Sequence, residues 1–104
     1  MGRRLLMALM LVLGMAAMAQ AQAFGPKNYP DCVMLYAKKA ASQDGAMLMR
    51  RACKCRFQDP SAPDCKEYSK PALDCILKNV GPVERDEEVW GIERACRTKL
   101  PVQP

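Results

Sequence analysis

Histidine is missing from all 104 residues. That removes the commonest metal ligand and the commonest general base together. Cys-x-x-Cys and Cys-x-x-Cys-His spacings are also missing, so zinc, iron–sulfur and haem attachment have no sequence support. There is no serine-nucleophile motif and no phosphate-cradling loop. Aromatic residues are few: one Trp, three Tyr and two Phe. The longest apolar run, Leu5 to Ala19, is 15 residues, short of the roughly 20 that cross a bilayer. No metal, no cofactor and no catalytic residue is therefore expected, and the chain is expected not to be an enzyme.

The N-terminus is organised as an export signal. Arg3 and Arg4 precede the apolar run, and small residues follow it in Ala17-Met-Ala19 and Ala21-Gln-Ala23. This is the positive, apolar and A-x-A order that a signal peptidase reads. Cleavage is expected after Ala23, with Ala19 as the alternative. Five of the eight methionines lie in this segment, so the methionine richness is mostly a property of the signal. Its removal takes two of the 16 basic residues and none of the 11 acidic ones, lowering the net charge from +5 to +3. What remains, residues 24–104, is enough for one domain with a small core. No membrane span is expected after cleavage. The expected location is the periplasm or the exterior, where disulfides persist.

All six cysteines lie in that domain, and their spacing is regular. Twenty residues separate Cys32 from Cys53, and twenty separate Cys75 from Cys96. A shift of 43 superposes Asp31-Cys32 on Asp74-Cys75 and Arg51-Ala52-Cys53 on Arg94-Ala95-Cys96. Val33, Met34 and Met49 then fall on Ile76, Leu77 and Ile92. Equal spacing with matching flanks indicates two copies of one unit.

Each unit has the pattern of a helical hairpin. In the second, Pro71 suits a first helical turn, and Leu73, Ile76, Leu77 and Val80 recur at helical spacing. Gly81-Pro82 stops that helix. Asp86 is placed to cap the next one, with Glu87 and Glu88 in its first turn. Val89, Ile92, Cys96 and Leu100 form its expected buried stripe. In the first unit, Pro30 and Asp31 open a helix carrying Val33, Tyr36, Ala37 and Ala40. Ser42 to Gly45 is expected to turn the chain, and Ala46, Met49, Cys53 and Phe57 repeat the stripe.

In an antiparallel hairpin, the start of the first helix and the end of the second lie side by side. That geometry pairs Cys32 with Cys53 and Cys75 with Cys96. Cys55 and Cys65 remain and would tie the connector to the first hairpin. Ser61 with Asp64 is placed to cap a short helix through Tyr68. Six cysteines allow fifteen pairings in all. The expected fold is all-α: two disulfide-closed antiparallel helical hairpins in one small domain. Hairpin 1 spans about 29–57, the connector 58–69, and hairpin 2 about 70–101.

The segment Leu73-Asp-Cys-Ile-Leu-Lys-Asn-Val, followed by Glu-Glu-Val-Trp-Gly-Ile-Glu-Arg-Ala-Cys-Arg, resembles a module of small bacterial envelope and secreted proteins without assigned chemistry. That module has a cysteine at a helix start, an acidic turn, and an Ala-Cys-Arg-like end about twenty residues on. The resemblance covers residues 72–101 well and 29–57 more loosely. It implies a disulfide-closed helical hairpin and no particular activity. Cys55 and Cys65 depart from its simple four-cysteine pattern.

Several clusters bear on function. Cys53-Lys-Cys55 suggests a redox dithiol or a soft-metal chelate. On a helix, however, the two side chains diverge by about 200° and suit two separate disulfides. Met34, Met47 and Met49 are the residue type that binds cuprous copper, but they match apolar positions of the other copy. Asp86, Glu87, Glu88 and Glu93 are expected to be solvated. Arg50, Arg51, Lys54 and Arg56 form a basic cluster, read either as an anion-binding surface or as cations favoured near a helix C-terminus. Trp90 either flanks the core or anchors a partner. The function expected is a non-enzymatic exported binding module whose partner is a protein or an anionic envelope component, not nucleic acid. Two alternatives stand beside it. One is an inhibitor or immunity protein against a toxin, protease or muramidase, presenting the Gln58–Pro63 connector and Trp90. The other is a copper-binding or thiol-redox protein.

Overall fold

The computed structural model describes residues 25–104. The expected signal, residues 1–23, and both cleavage sites lie outside the described residues. Four α-helices follow in order: α1, Tyr29–Leu35; α2, Gln43–Phe57; α3, Lys70–Asn79; and α4, Asp86–Lys99. Single turns of 3-10 helix lie at Ala37–Lys39 and Pro63–Cys65, and the described residues contain no strand. The domain is all-helical and is held by three disulfides.

Local chemistry explains most boundaries. The Asn28 side chain accepts from the Asp31 amide at 2.9 Å and caps α1, with Pro30 in the first turn. Ser69 caps α3 by accepting from the Ala72 amide at 3.1 Å, and it donates to the Leu100 carbonyl at 2.6 Å. One hydroxyl thus satisfies a free amide at the start of α3 and a free carbonyl at the end of α4. The second helices of the two copies, α2 and α4, begin 43 residues apart, at Gln43 and Asp86.

Three boundary expectations are corrected. Ser42 to Gly45 is not a turn. Ser42 is the cap, its hydroxyl accepts from the Gly45 amide at 2.9 Å, and helix begins at Gln43. Asp86 does not cap its own helix but lies inside it, and Arg85 occupies the cap position. The Asp86 carboxylate accepts instead from the Asp44 amide, 3.3 Å away in the first turn of α2. No helix runs from Ser61 to Tyr68. The Ser61 hydroxyl donates to Asp59 rather than accepting from a helix amide, and the segment makes only the 3-10 turn.

The helices surround one core. α2 packs against α1, α3 and α4, and α3 packs against α2 and α4. Leu48, Met49, Ile76, Val80 and Val89 are its largest fully buried side chains, and Cys32, Cys53 and Cys55 are buried with them. Leu100, expected on the buried stripe, is exposed because α4 ends at Lys99 and its backbone leaves the helix there. The hairpin tips are tied together where the Ala41 amide donates to the Gly81 carbonyl at 2.9 Å.

Two glycines in this frame should respond in opposite directions. A Cβ on Gly45 would stand 2.7 Å from the Ser42 hydroxyl and 3.3 Å from Val80. Gly45→Ala should therefore disturb the cap and crowd the core, destabilising by about 1–2 kcal/mol. A Cβ on Gly91 in α4 meets nothing within 4 Å. Gly91→Ala should stabilise by about 0.5–1 kcal/mol through helix propensity. Thermal melts of the two variants check both signs.

Candidate functional site

The residues singled out for binding lie mainly on α2. One face of that helix buries Leu48, Met49, Ala52, Cys53 and Cys55. Helical geometry places Met47, Arg50, Arg51 and Lys54 within about 100° of one another on the opposite face. Met47 is 47% exposed and Arg50 is exposed. Lys54 Nζ pairs with Asp64 at 2.9 Å, which pins the connector against the helix. That ammonium holds the Asp64 carboxyl below its usual range.

Arg56 is not part of this surface. Its position falls about 120° or more from the arc. Its Nε reaches Asp74 of α3 at 3.2 Å, and its guanidinium lies 4.9 Å over the Phe57 ring. The basic cluster of the sequence is therefore split between an outer arc and a bridge from α2 to α3.

Trp90 is half-buried against the core. Its indole N–H donates to Asp44 Oδ2 at 2.8 Å. Asp44 thus links the hairpins twice, with its amide bonded to Asp86 and its carboxylate bonded to Trp90. Asp44, held by Trp90, also lines a shallow depression at the N-terminal end of the arc with Gln43, Ala46, Met47 and Arg50.

The disulfides join Cys32 to Cys53, Cys55 to Cys65, and Cys75 to Cys96, with Cα separations of 5.6, 5.3 and 5.8 Å. Cys53 and Cys55 face different partners, and both are oxidised, so neither offers a thiolate to a metal. Met49 is buried in the core, whereas Met34 and Met47 are exposed on different helices.

Glu93 corrects a further expectation. It is only 7% exposed rather than solvated. The Tyr68 hydroxyl donates to it at 2.8 Å, and Arg97 Nε donates at 3.0 Å. Burial pushes the Glu93 carboxyl up, but the Arg97 and Tyr68 hydrogen bonds outweigh it and the net direction is down. Burial, then the bond to Glu93, pushes the Tyr68 phenol up to about 12. The Glu93–Arg97 spacing of four on a helix was readable in the sequence. Tyr68 was not, because 25 residues separate it from Glu93.

The sign of the linkage follows from those directions. The lowered Glu93 carboxyl contributes stability that is present above the ordinary glutamate value and is lost as pH falls through its folded value. The raised Tyr68 phenol contributes stability that is present below pH 10 and is lost as pH rises from there to about 12. Tyr68→Phe should cost roughly 1.5–3 kcal/mol at neutral pH, as for a hydrogen bond to a charged group. It should also flatten stability on both pH flanks. Denaturant titration of both proteins across pH checks the cost and the flattening.

The family profile of the four-cysteine proteins described as "Four-cysteine protein VF_A0006-like" matches residues 7–100. The chain belongs to that family. The family is described by four cysteines and this chain has six. The two equally spaced pairs account for four, and Cys55–Cys65 is the third bond. No curated protein and no solved structure matches the chain.

The six-residue connector 58–63 is exposed apart from half-buried Ala62. It is held at one end by the Asp59 amide donating to the Lys54 carbonyl at 2.8 Å, and at the other by Cys55–Cys65. It is therefore an exposed segment with fixed ends.

Proposed function

We propose that this four-cysteine-family protein is an exported, non-enzymatic binding module that acts in the periplasm or outside the cell after cleavage following Ala23. Three disulfides in 80 described residues suit an oxidising compartment. Among the described residues, no helix is long and apolar enough to cross a membrane. The observation that carries the binding role is the outer arc of α2, where exposed Met47 and Arg50 stand on a helix fixed by disulfides at both Cys53 and Cys55. A rigid helix face loses little conformational entropy when a partner docks. The partner is a protein or an anionic envelope component.

The test is affinity capture from the native compartment with the oxidised protein as bait, beside a Met47→Asp, Arg50→Glu variant. The reading expects one partner in stoichiometric amount that the variant loses. Equal recovery by both baits would remove the α2 arc as the binding surface.

The fixed connector favours a second reading, an inhibitor or immunity protein against a toxin, protease or muramidase. Under that reading the captured partner is a hydrolase whose activity falls on binding. Substitutions at Gln58 and Pro60 should then relieve the inhibition while the helices stay intact.

A further inference from the structure

We propose that the end of α1, with the turn that follows it, docks on the surface of an anionic phospholipid bilayer. Met34 and Leu35 close α1 and are 56% and 46% exposed. Together they make a small exposed apolar spot on the end of the helix. Lys38 and Lys39 follow Tyr36 and Ala37 in the 3-10 turn, each four residues on from Met34 and Leu35, and both are exposed. Lys78 of α3 lines the same shallow groove as Leu35 and Lys39. Two protruding apolar groups are therefore flanked by three ammonium groups.

The cations of this patch are not neutralised by a neighbouring acid. On α2, Lys54 is neutralised by Asp64 and Arg56 by Asp74, whereas Arg50 and Arg51 take part in no ion pair among the described residues. The other ion pairs of the described residues use Arg85 and Arg97. None of them involves Lys38, Lys39 or Lys78. The nearest acid on α1 is Asp31, one turn back, and it too takes part in none of these ion pairs. The patch is thus net cationic with an apolar centre, complementary to phosphates above a hydrocarbon layer. Lysines suit this role because their stems lie along apolar surface while the ammonium stays at the headgroups.

The patch is also preformed. Cys32–Cys53 holds α1 on α2, Ala37 is buried beneath the turn, and the Ala41 amide bonds to the Gly81 carbonyl. Docking therefore needs little ordering. With only two apolar side chains, attachment would be shallow and reversible, and dependent on charge as a second signal. This inference goes beyond the binding role above, because it uses a different face and names a phospholipid surface as the ligand.

The test is co-sedimentation of the purified oxidised protein with vesicles of phosphatidylglycerol mixed with phosphatidylcholine, and with phosphatidylcholine alone. Binding is expected to the mixed vesicles only, and it should weaken as salt shortens the Debye length. Lys38→Gln, Lys39→Gln and Lys78→Gln should each weaken it by about fivefold. Met34→Asn with Leu35→Asn should weaken it by about tenfold or more. All five residues lie outside the buried core, and circular dichroism verifies that each variant folds. Arg94→Gln, on exposed α4 surface away from both faces, should leave vesicle binding nearly unchanged. No binding, equal binding to both vesicles, or a loss with Arg50→Gln, Arg51→Gln that the lysine variants do not share would each overturn the proposal. Partner capture through the α2 arc would survive any of those outcomes, so the two readings fail separately.

Discussion

Replacing Cys75 and Cys96 together with alanine is expected to destabilise the protein by about 3 kcal/mol. The bond closes a loop of 21 residues in sequence. Without it the unfolded chain regains the entropy of that loop, while the folded state loses its tie between the middle of α3 and the last turns of α4. For a domain of this size, such a loss lowers the melting temperature by roughly 12–24 °C. It is also a large share of the roughly 5–15 kcal/mol that domains have in total. Alanine is preferable to serine because Cys96 is buried, and a hydroxyl there would add an unmet polar group. The Cys55–Cys65 bond closes a separation of only 10. Loop closure depends only logarithmically on length, so removing that bond should cost about 0.6 kcal/mol less. Thermal melts and limited proteolysis of the two double variants measure both effects. Full helical content with unchanged protease resistance in the Cys75, Cys96 variant would show that the second hairpin does not depend on its disulfide.

Ile76→Ala is expected to cost about 2–5 kcal/mol, through lost apolar transfer and the cavity left behind. Ile76 is fully buried on α3, the helix packed between α2 and α4. α2 presses Leu48 and Met49 into the same core, and α4 contributes Val89. A void at Ile76 therefore loosens contacts between the two hairpins as well as contacts within the second. Chemical denaturation should show a lower midpoint with an unchanged slope. Met34→Ala provides the contrast. Met34 is 56% exposed, and its truncation should stay within about 0.5 kcal/mol. If Ile76→Ala behaved like Met34→Ala, the hairpins would not share a core.

The helical architecture was legible because its signals are local and repeated. Leu73, Ile76, Leu77 and Val80 mark the buried face of α3 directly, and all four are buried. The shift of 43 that aligns the cysteines also separates the starts of α2 and α4. Some residues were misread because their side chains or positions answer to a neighbouring element rather than their own. Asp86 has the position of a cap for α4, yet it accepts from the first turn of α2. Gly45 reads as a turn residue. It stands in a helix because Val80 and Val89 pack closely over the site where its Cβ would be. Glu93 reads as a surface acid because its phenol partner comes from the connector, which the helical period does not describe.

The basic cluster shows the same limit. Arg50, Arg51, Lys54 and Arg56 lie close together in sequence, but the helix sends Arg56 toward Asp74 and the others outward. That closeness suggested one anion-binding surface, and the 3.6-residue period divides it. The cationic patch at Lys38, Lys39 and Lys78 had no counterpart in that reading, since it is assembled from both hairpins.

The measurement that bears most directly on an exported, disulfide-locked module is the intact mass of the protein from its native compartment, alkylated before and after reduction. The expected mass begins at Phe24, carries no label before reduction and gains six labels after it. A mass that still begins at Met1, or that carries two or more labels before reduction, would contradict export into an oxidising compartment. Cys53, Cys55 and Cys65 would then be the first thiols to examine.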